Sequence, residues 1–191
     1  MQRRDFLKTS VALGALASMP WSTTFGKLGN ELRVGLIGTG MRGQVLLAEL
    51  LKQDGVQIAA LCDIDGYALD GAARIVSEAG RPKARLFTGE TESWREMLAK
   101  TRLDAVLIAT PWELHAPMSI AAMEAKVAVG CEVVAAVTLE EHWEVLRTQQ
   151  RTGTPYMLLE NVCYRRDVLA TLNMVRQDVF GELVHLEGGY E

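Results

Sequence analysis

The chain has 191 residues, 49% apolar and 23% charged, a length that suits one well-filled domain burying about 70% of its unfolded surface. That composition sits near globular averages and excludes a disordered tail or a fibrous protein. Twenty Lys and Arg against 24 Asp and Glu leave a net charge of -4, which argues against nucleic acid as the main partner. Cys62, Cys131 and Cys163 are widely spaced, with no Cys-x-x-Cys pair and no nearby His to suggest zinc. They are expected to be reduced, buried thiols, and no metal site is expected.

Residues 1–30 read differently from the rest. Arg3-Arg4-Asp5-Phe6-Leu7-Lys8 is followed by residues 9–19 without a charge, then Pro20 and a polar stretch. This is the layout of a signal peptide. Phe6 and Leu7 after two arginines, with a mild Ala- and Gly-containing apolar region, resemble a twin-arginine export signal more than a general secretory one. The apolar region is shorter than the roughly 20 residues a permanent bilayer helix needs. The expectation is export to the periplasm or beyond, with the twin-arginine machinery as a partner and no stable membrane span. The residues by themselves leave an ordinary N-terminal helix as the alternative.

Residues 32–37 form a short, nearly all-apolar run, as a parallel strand covered on both faces would. It closes in Gly38-Thr39-Gly40-Met41-Arg42-Gly43, and helical periodicity follows at once with Val45, Leu46, Ala48, Leu50 and Leu51. A second apolar run, 56–62, ends at Asp63. A Gly-x-Gly-x-x-Gly between strand and helix, with an acid at the next strand tip, is the dinucleotide-binding arrangement. Gly38 permits the tight turn, Gly40 lets the backbone approach a pyrophosphate, and Gly43 lets the helix pack on the strand. Asp63 would accept hydrogen bonds from ribose hydroxyls and repel a 2′-phosphate, favouring NAD over NADP. A glycine turn kept for packing alone is the other reading.

The remaining chain alternates. Helices are expected over 66–79, 93–100, 113–125 and 139–152, and strands over 84–87, 105–109, 127–131 and 156–159. Repeated strand–helix units predict an α/β fold, a Rossmann doubly wound parallel sheet with right-handed crossovers. Ligand groups should then gather at the carboxyl ends of the strands, at Asp63, residues 110–115, Glu132 and Glu160-Asn161. Residues 183–187 read as one further strand.

The motifs 38–43, Cys62-Asp63-Ile64-Asp65, Thr110-Pro111-Trp112-Glu113-Leu114-His115 and Glu132-Val133-Val134-Ala135-Ala136 resemble, in order and spacing, the Gfo/Idh/MocA oxidoreductase superfamily. Usual members carry Glu-Lys-Pro where this chain has Glu132-Val133-Val134, so the lysine of the dehydrogenases is absent. Met41-Arg42, Trp112-x-x-His115, Glu132-Val133, residues 159–167 and Gly188-Gly189-Tyr190-Glu191 closely resemble the glycoside hydrolase family 109 branch, although Val134 replaces a proline common there. The resemblance runs through the whole chain. It implies an α-N-acetylgalactosaminidase that holds NAD and hydrolyses a glycoside with a terminal N-acetylgalactosamine by transient C3 oxidation, elimination and water addition. The alternatives are an NAD-dependent sugar oxidoreductase and a non-catalytic NAD-binding module.

Carried over residue by residue, the resemblance implies NAD contacts at Gly38, Gly40, Met41, Arg42, Gly43, Asp63, Trp112, Glu113, Leu114, His115, Glu132, Val133 and Asn161, and a substrate contact at Tyr190. Blander roles stay open. Trp112 could cover the sheet edge, His115 could cap a helix, Glu132 could bind backbone amides, and Glu160 and Asn161 could form a turn. Arg165-Arg166 reads as an ion-paired or solvated helix face. The expected organisation is a signal peptide and linker at 1–30, a Rossmann domain at 31–162, and at 163–191 the start of a C-terminal α+β sheet domain that is incomplete at Glu191. Family members are longer, so the resemblance places most of the substrate pocket and the catalytic base downstream, and implies self-association of the full-length form.

Overall fold

A computed structural model describes residues 31–189. The signal-peptide region and Tyr190 lie outside the described residues. Six strands alternate with helices: β1 (Leu32–Ile37), α1 (Met41–Leu51), β2 (Val56–Cys62), α2 (Gly66–Glu78), β3 (Arg85–Phe87), α3 (Ser93–Lys100), β4 (Ala105–Ile108), a 3-10 turn (Trp112–Leu114), α4 (His115–Glu124), β5 (Ala128–Cys131), α5 (Leu139–Thr152), β6 (Tyr156–Leu158), a second 3-10 turn (Val162–Tyr164) and α6 (Arg166–Arg176). The sheet order is β3-β2-β1-β4-β5-β6. The pairs β2–β3, β1–β4, β4–β5 and β5–β6 are parallel, with Gly35 opposite Val106 and Val106 opposite Val129. Strand order reverses between β1 and β4, the crevice where open α/β sheets receive ligands.

Alternation along the strands splits the core in two. Leu36 and Leu61 point to one face, where they pack with Leu47 of α1 and Leu69, Ala72 and Val76 of α2. Ile37 and Cys62 point to the other, joining Trp94 and Met97 of α3, Ala116, Met118 and Ala122 of α4, and Val145 of α5. A sheet buried on both faces explains why β1, β2 and β4 read as continuous apolar runs. Helix ends follow local chemistry. The Asp65 carboxylate caps α2 by accepting from the Tyr67 and Ala68 amides. Thr138 and Glu141 form a reciprocal capping box at the start of α5, and Gly153, at φ 66°, ends that helix in the left-handed conformation. Among the described residues no helix is long and apolar enough to cross a membrane.

Three expectations need correction. The helix expected over 113–125 opens as the 3-10 turn Trp112–Leu114 before α4 starts at His115. Residues 183–187 form no strand: they are exposed and without regular structure, since neither edge strand, β3 or β6, pairs with them and an isolated strand leaves its backbone groups unpaired. Cys163 is exposed, whereas Cys62 and Cys131 are buried free thiols as expected.

Candidate functional site

Backbone hydrogen bonds tie the strand tips into a row: Gly38 N–H donates to the Cys62 carbonyl, Ala109 N–H to Ile37, Glu132 N–H to Ile108 and Leu159 N–H to Cys131. The residues just past each tip therefore share one rim. On it the three loop glycines are not equivalent. Gly38 has φ +87°, and a Cβ there would lie 2.4 Å from the Ala109 carbonyl oxygen. A Cβ on Gly43 would lie 2.0 Å from the Gly38 oxygen, so helix and turn meet without room for a side chain. Around a Cβ on Gly40 nothing lies within 4 Å. The fold thus requires Gly38 and Gly43 but leaves space over Gly40, at the start of a helix with no side-chain cap and no acid in its first turn. Free helix N–H groups facing open space suit a phosphate, so the residues present fit a dinucleotide.

Asp63 is committed to this loop. Its Oδ2 accepts from the Thr39 amide at 2.5 Å and the Thr39 hydroxyl at 3.1 Å, and its Oδ1 accepts from the Asp65 amide at 2.9 Å. Thr39 is fully buried. It is a site residue that reading the motif through its glycines overlooks, although a hydroxyl between two of them was the available signal. The carboxylate is half-buried, with lone pairs left over for a ribose after these bonds.

Beyond β4, Trp112 is 59% exposed, Glu113 and Leu114 are also exposed, and His115 is 1% exposed. Its Nδ1 lies 2.5 Å from the Val134 carbonyl oxygen and its Nε2 2.9 Å from the Thr110 carbonyl oxygen. His115 therefore ties the loop after β4 to the loop after β5, while Trp112, Glu113 and Leu114 face outward. Beyond β5, Glu132 is 7% exposed. Its Oε1 accepts from Arg42 Nε at 2.6 Å and its Oε2 from the Val133 amide at 3.3 Å. The Val133–Val134 peptide is cis.

At β6, Glu160 accepts from the Val162 amide at 2.6 Å and so serves the turn. Asn161 precedes the 3-10 turn without a side-chain cap hydrogen bond, leaving its amide uncommitted to that turn. Arg165 pairs with Asp167 at the start of α6, as an ion-paired helix face would. The structure thus gathers Gly38, Gly40, Met41, Arg42, Gly43, Asp63, residues 112–115, Glu132, Val133 and Asn161 along the carboxyl rim. Behind it, burial pushes the Cys62 thiol up to about 12, with the Asp63 charge adding to the shift. Burial likewise raises Cys131 and Tyr156.

Residues 32–159 match the family described as an oxidoreductase family with an NAD-binding Rossmann fold, residues 164–191 match the C-terminal domain of glycosyl hydrolase 109, and residues 1–20 match the twin-arginine translocation signal sequence. That signal directs export to the periplasm or outside the cell. A glycosyl hydrolase family 109 protein of Stenotrophomonas maltophilia is 54% identical over 100% of this chain and 42% of its own length. An alpha-N-acetylgalactosaminidase of Tannerella forsythia is 43% identical over 87% of this chain and 36% of its own. The chain thus spans under half the length of these curated relatives. Among solved structures, the WlbA dehydrogenase of Chromobacterium violaceum, in complex with NADH and UDP-GlcNAcA, is 25% identical with a TM-score of 0.70, covering 80% of this chain and 41% of that one. The myo-inositol 2-dehydrogenase of Lactobacillus plantarum, 24% identical with a TM-score of 0.70 over 81% of this chain and 44% of its own, shares the fold.

Proposed function

The chain belongs to the Gfo/Idh/MocA oxidoreductase family, and from that premise we propose that its complete polypeptide is an NAD-holding glycosidase acting on α-linked terminal N-acetylgalactosamine. One observation carries the cofactor half of this reading: at Gly40 the protein leaves open the position that Gly38 and Gly43 close, beside an uncapped helix start. The glycosidase half is supported by the similarity to family 109 proteins and by the resemblance noted above, in which Val133 takes the place of the dehydrogenase lysine.

In this reading the free α1 N–H groups beside Gly40 would hold the pyrophosphate of the cofactor. Asp63, fixed by Thr39, accepts from the adenosine ribose, and its charge disfavours a 2′-phosphate, selecting NAD. Trp112, Glu113 and Leu114 would hold the nicotinamide half, and His115 holds their loop against the loop after β5. Asn161 would serve the far end of the rim, and the family resemblance assigns Tyr190 to the sugar. When bound, NAD supplies a reversible hydride acceptor for the sugar C3–H and is not consumed overall. The chain's own groups orient the sugar and exclude water until the aglycone has left C1. Residues 163–191 open a second domain that supplies most of the sugar pocket.

The test uses the polypeptide of the whole reading frame, purified without added cofactor. Nitrophenol release from nitrophenyl α-N-acetylgalactosaminide and the absorbance of NADH are followed together. Nitrophenol without accumulating NADH is the expected result. Accumulating NADH with a free sugar, and no nitrophenol, would return the protein to the sugar dehydrogenases.

A further inference from the structure

The Arg42–Glu132 ion pair is placed where helix electrostatics disfavour it. Arg42 is the second residue of α1, a helix with no acid in its first turn, so its positive charge faces the positive end of the helix dipole. What compensates is a carboxylate 90 residues away, Glu132, joined to it at 2.6 Å. The bond starts from the first turn of α1, the helix that follows β1, and ends just past the tip of β5, and β4 lies between β1 and β5. Two strand spacings amount to about 10 Å. The pair therefore spans the mouth of the β1/β4 crevice, the place where the cofactor reading seats the dinucleotide.

Its two ends are held differently. The Arg42 side chain is 43% exposed, and that of Glu132 is 9% exposed. Glu132 is anchored further by accepting from the Val133 amide, and the following Val134 carbonyl is fixed by His115. One end of the link is thus a partly solvated guanidinium, and the other is a nearly buried carboxylate at the tip of β5. Breaking it leaves a nearly buried carboxylate without its cation, which is costly.

We propose that Arg42 and Glu132 form a strap across the cofactor crevice, and that opening this strap sets the rate at which a bound dinucleotide leaves. This rests on the cofactor reading above. In the strap Arg42 acts on the dinucleotide through its link to Glu132, beyond any direct contact either residue makes with it. Arg42 and Glu132 are the two ends of one link, so either single loss should free the crevice equally.

The experiment loads the full chain with NAD, chases it with excess unlabelled NAD and measures release, in the wild type, R42M, E132Q and the double variant R42M/E132Q. Thermal transitions confirm that each is folded, and R42K, which keeps the charge on a shorter reach, supplies an intermediate case. Each single variant should release NAD measurably faster than the wild type, with the double variant no faster than the faster single. Effects that multiply in the double variant would show two independent contacts and overturn the strap, as would unchanged release in both singles. A wild type that neither retains nor binds NAD would overturn the cofactor reading and the strap together.

Discussion

Burial sorts the three thiols by reactivity. A thiolate, not a thiol, attacks an alkylating agent. Cys62 is held up to about 12 by burial and then by the Asp63 charge, and burial raises Cys131 as well. Iodoacetamide at neutral pH should therefore label Cys163 alone in the folded protein and all three thiols in denaturant, which peptide mass spectrometry resolves. The same shifts give a pH dependence. Between the ordinary thiol value and about 12 the folded state keeps protons that the unfolded state gives up, so unfolding is favoured as pH rises through that window. The melting temperature should hold steady up to about pH 8 and fall progressively above about pH 9. A flat profile to pH 11 would contradict the raised values.

At the scale of the element, the glycine loop separates what the fold demands from what a ligand demands. Gly43→Ala places a methyl against the Gly38 oxygen, so it should lower the melting temperature by several degrees and weaken NAD binding with it. Gly40→Ala meets nothing in the protein, so it should melt within about two degrees of the wild type yet bind NAD at least tenfold more weakly by titration calorimetry. Equal losses in both variants would leave Gly40 a packing glycine. This division was half legible beforehand. Strands β1 and β2, the glycine loop, Asp63 and helices α1 to α5 follow from short-range signals: apolar runs, a 3.6-residue period, caps. The Thr39–Asp63 and Arg42–Glu132 bonds join residues 24 and 90 positions apart, and no local pattern encodes such pairings. The same limit explains the strand misread at 183–187, where Leu183, Val184 and Leu186 have the right composition but no neighbour to pair with.

Across the whole molecule, stability is unevenly spread. Every buried residue among those described lies at or before Thr154, and nothing from 162 to 189 is buried. Helix α6 therefore leaves Leu169, Leu172 and Met174 partly in solvent. Hydrophobic stabilisation scales with area removed from water, so this segment contributes little to the Rossmann sheet. A chain ending after Leu159 should melt within about two degrees of the 191-residue chain, and should be less prone to associate because an exposed apolar helix face is gone. A drop of ten degrees would show that α6 is integral to the sheet domain.

The sheet order has a consequence for how the chain is made. The Arg33 amide donates to Asp104, 71 positions further along the chain, and Arg42 pairs with Glu132, 90 positions further along. Central strands joined over such separations give a high contact order and slow folding. Chain synthesis proceeds from the N-terminus, so β1, the glycine loop and Asp63 emerge long before β4 and β5 can flank them. The glycine turn is therefore made before its walls. The walls of this rim therefore belong to the last-made part of the sheet, and the glycine turn is complete as a site only when the whole sheet has formed.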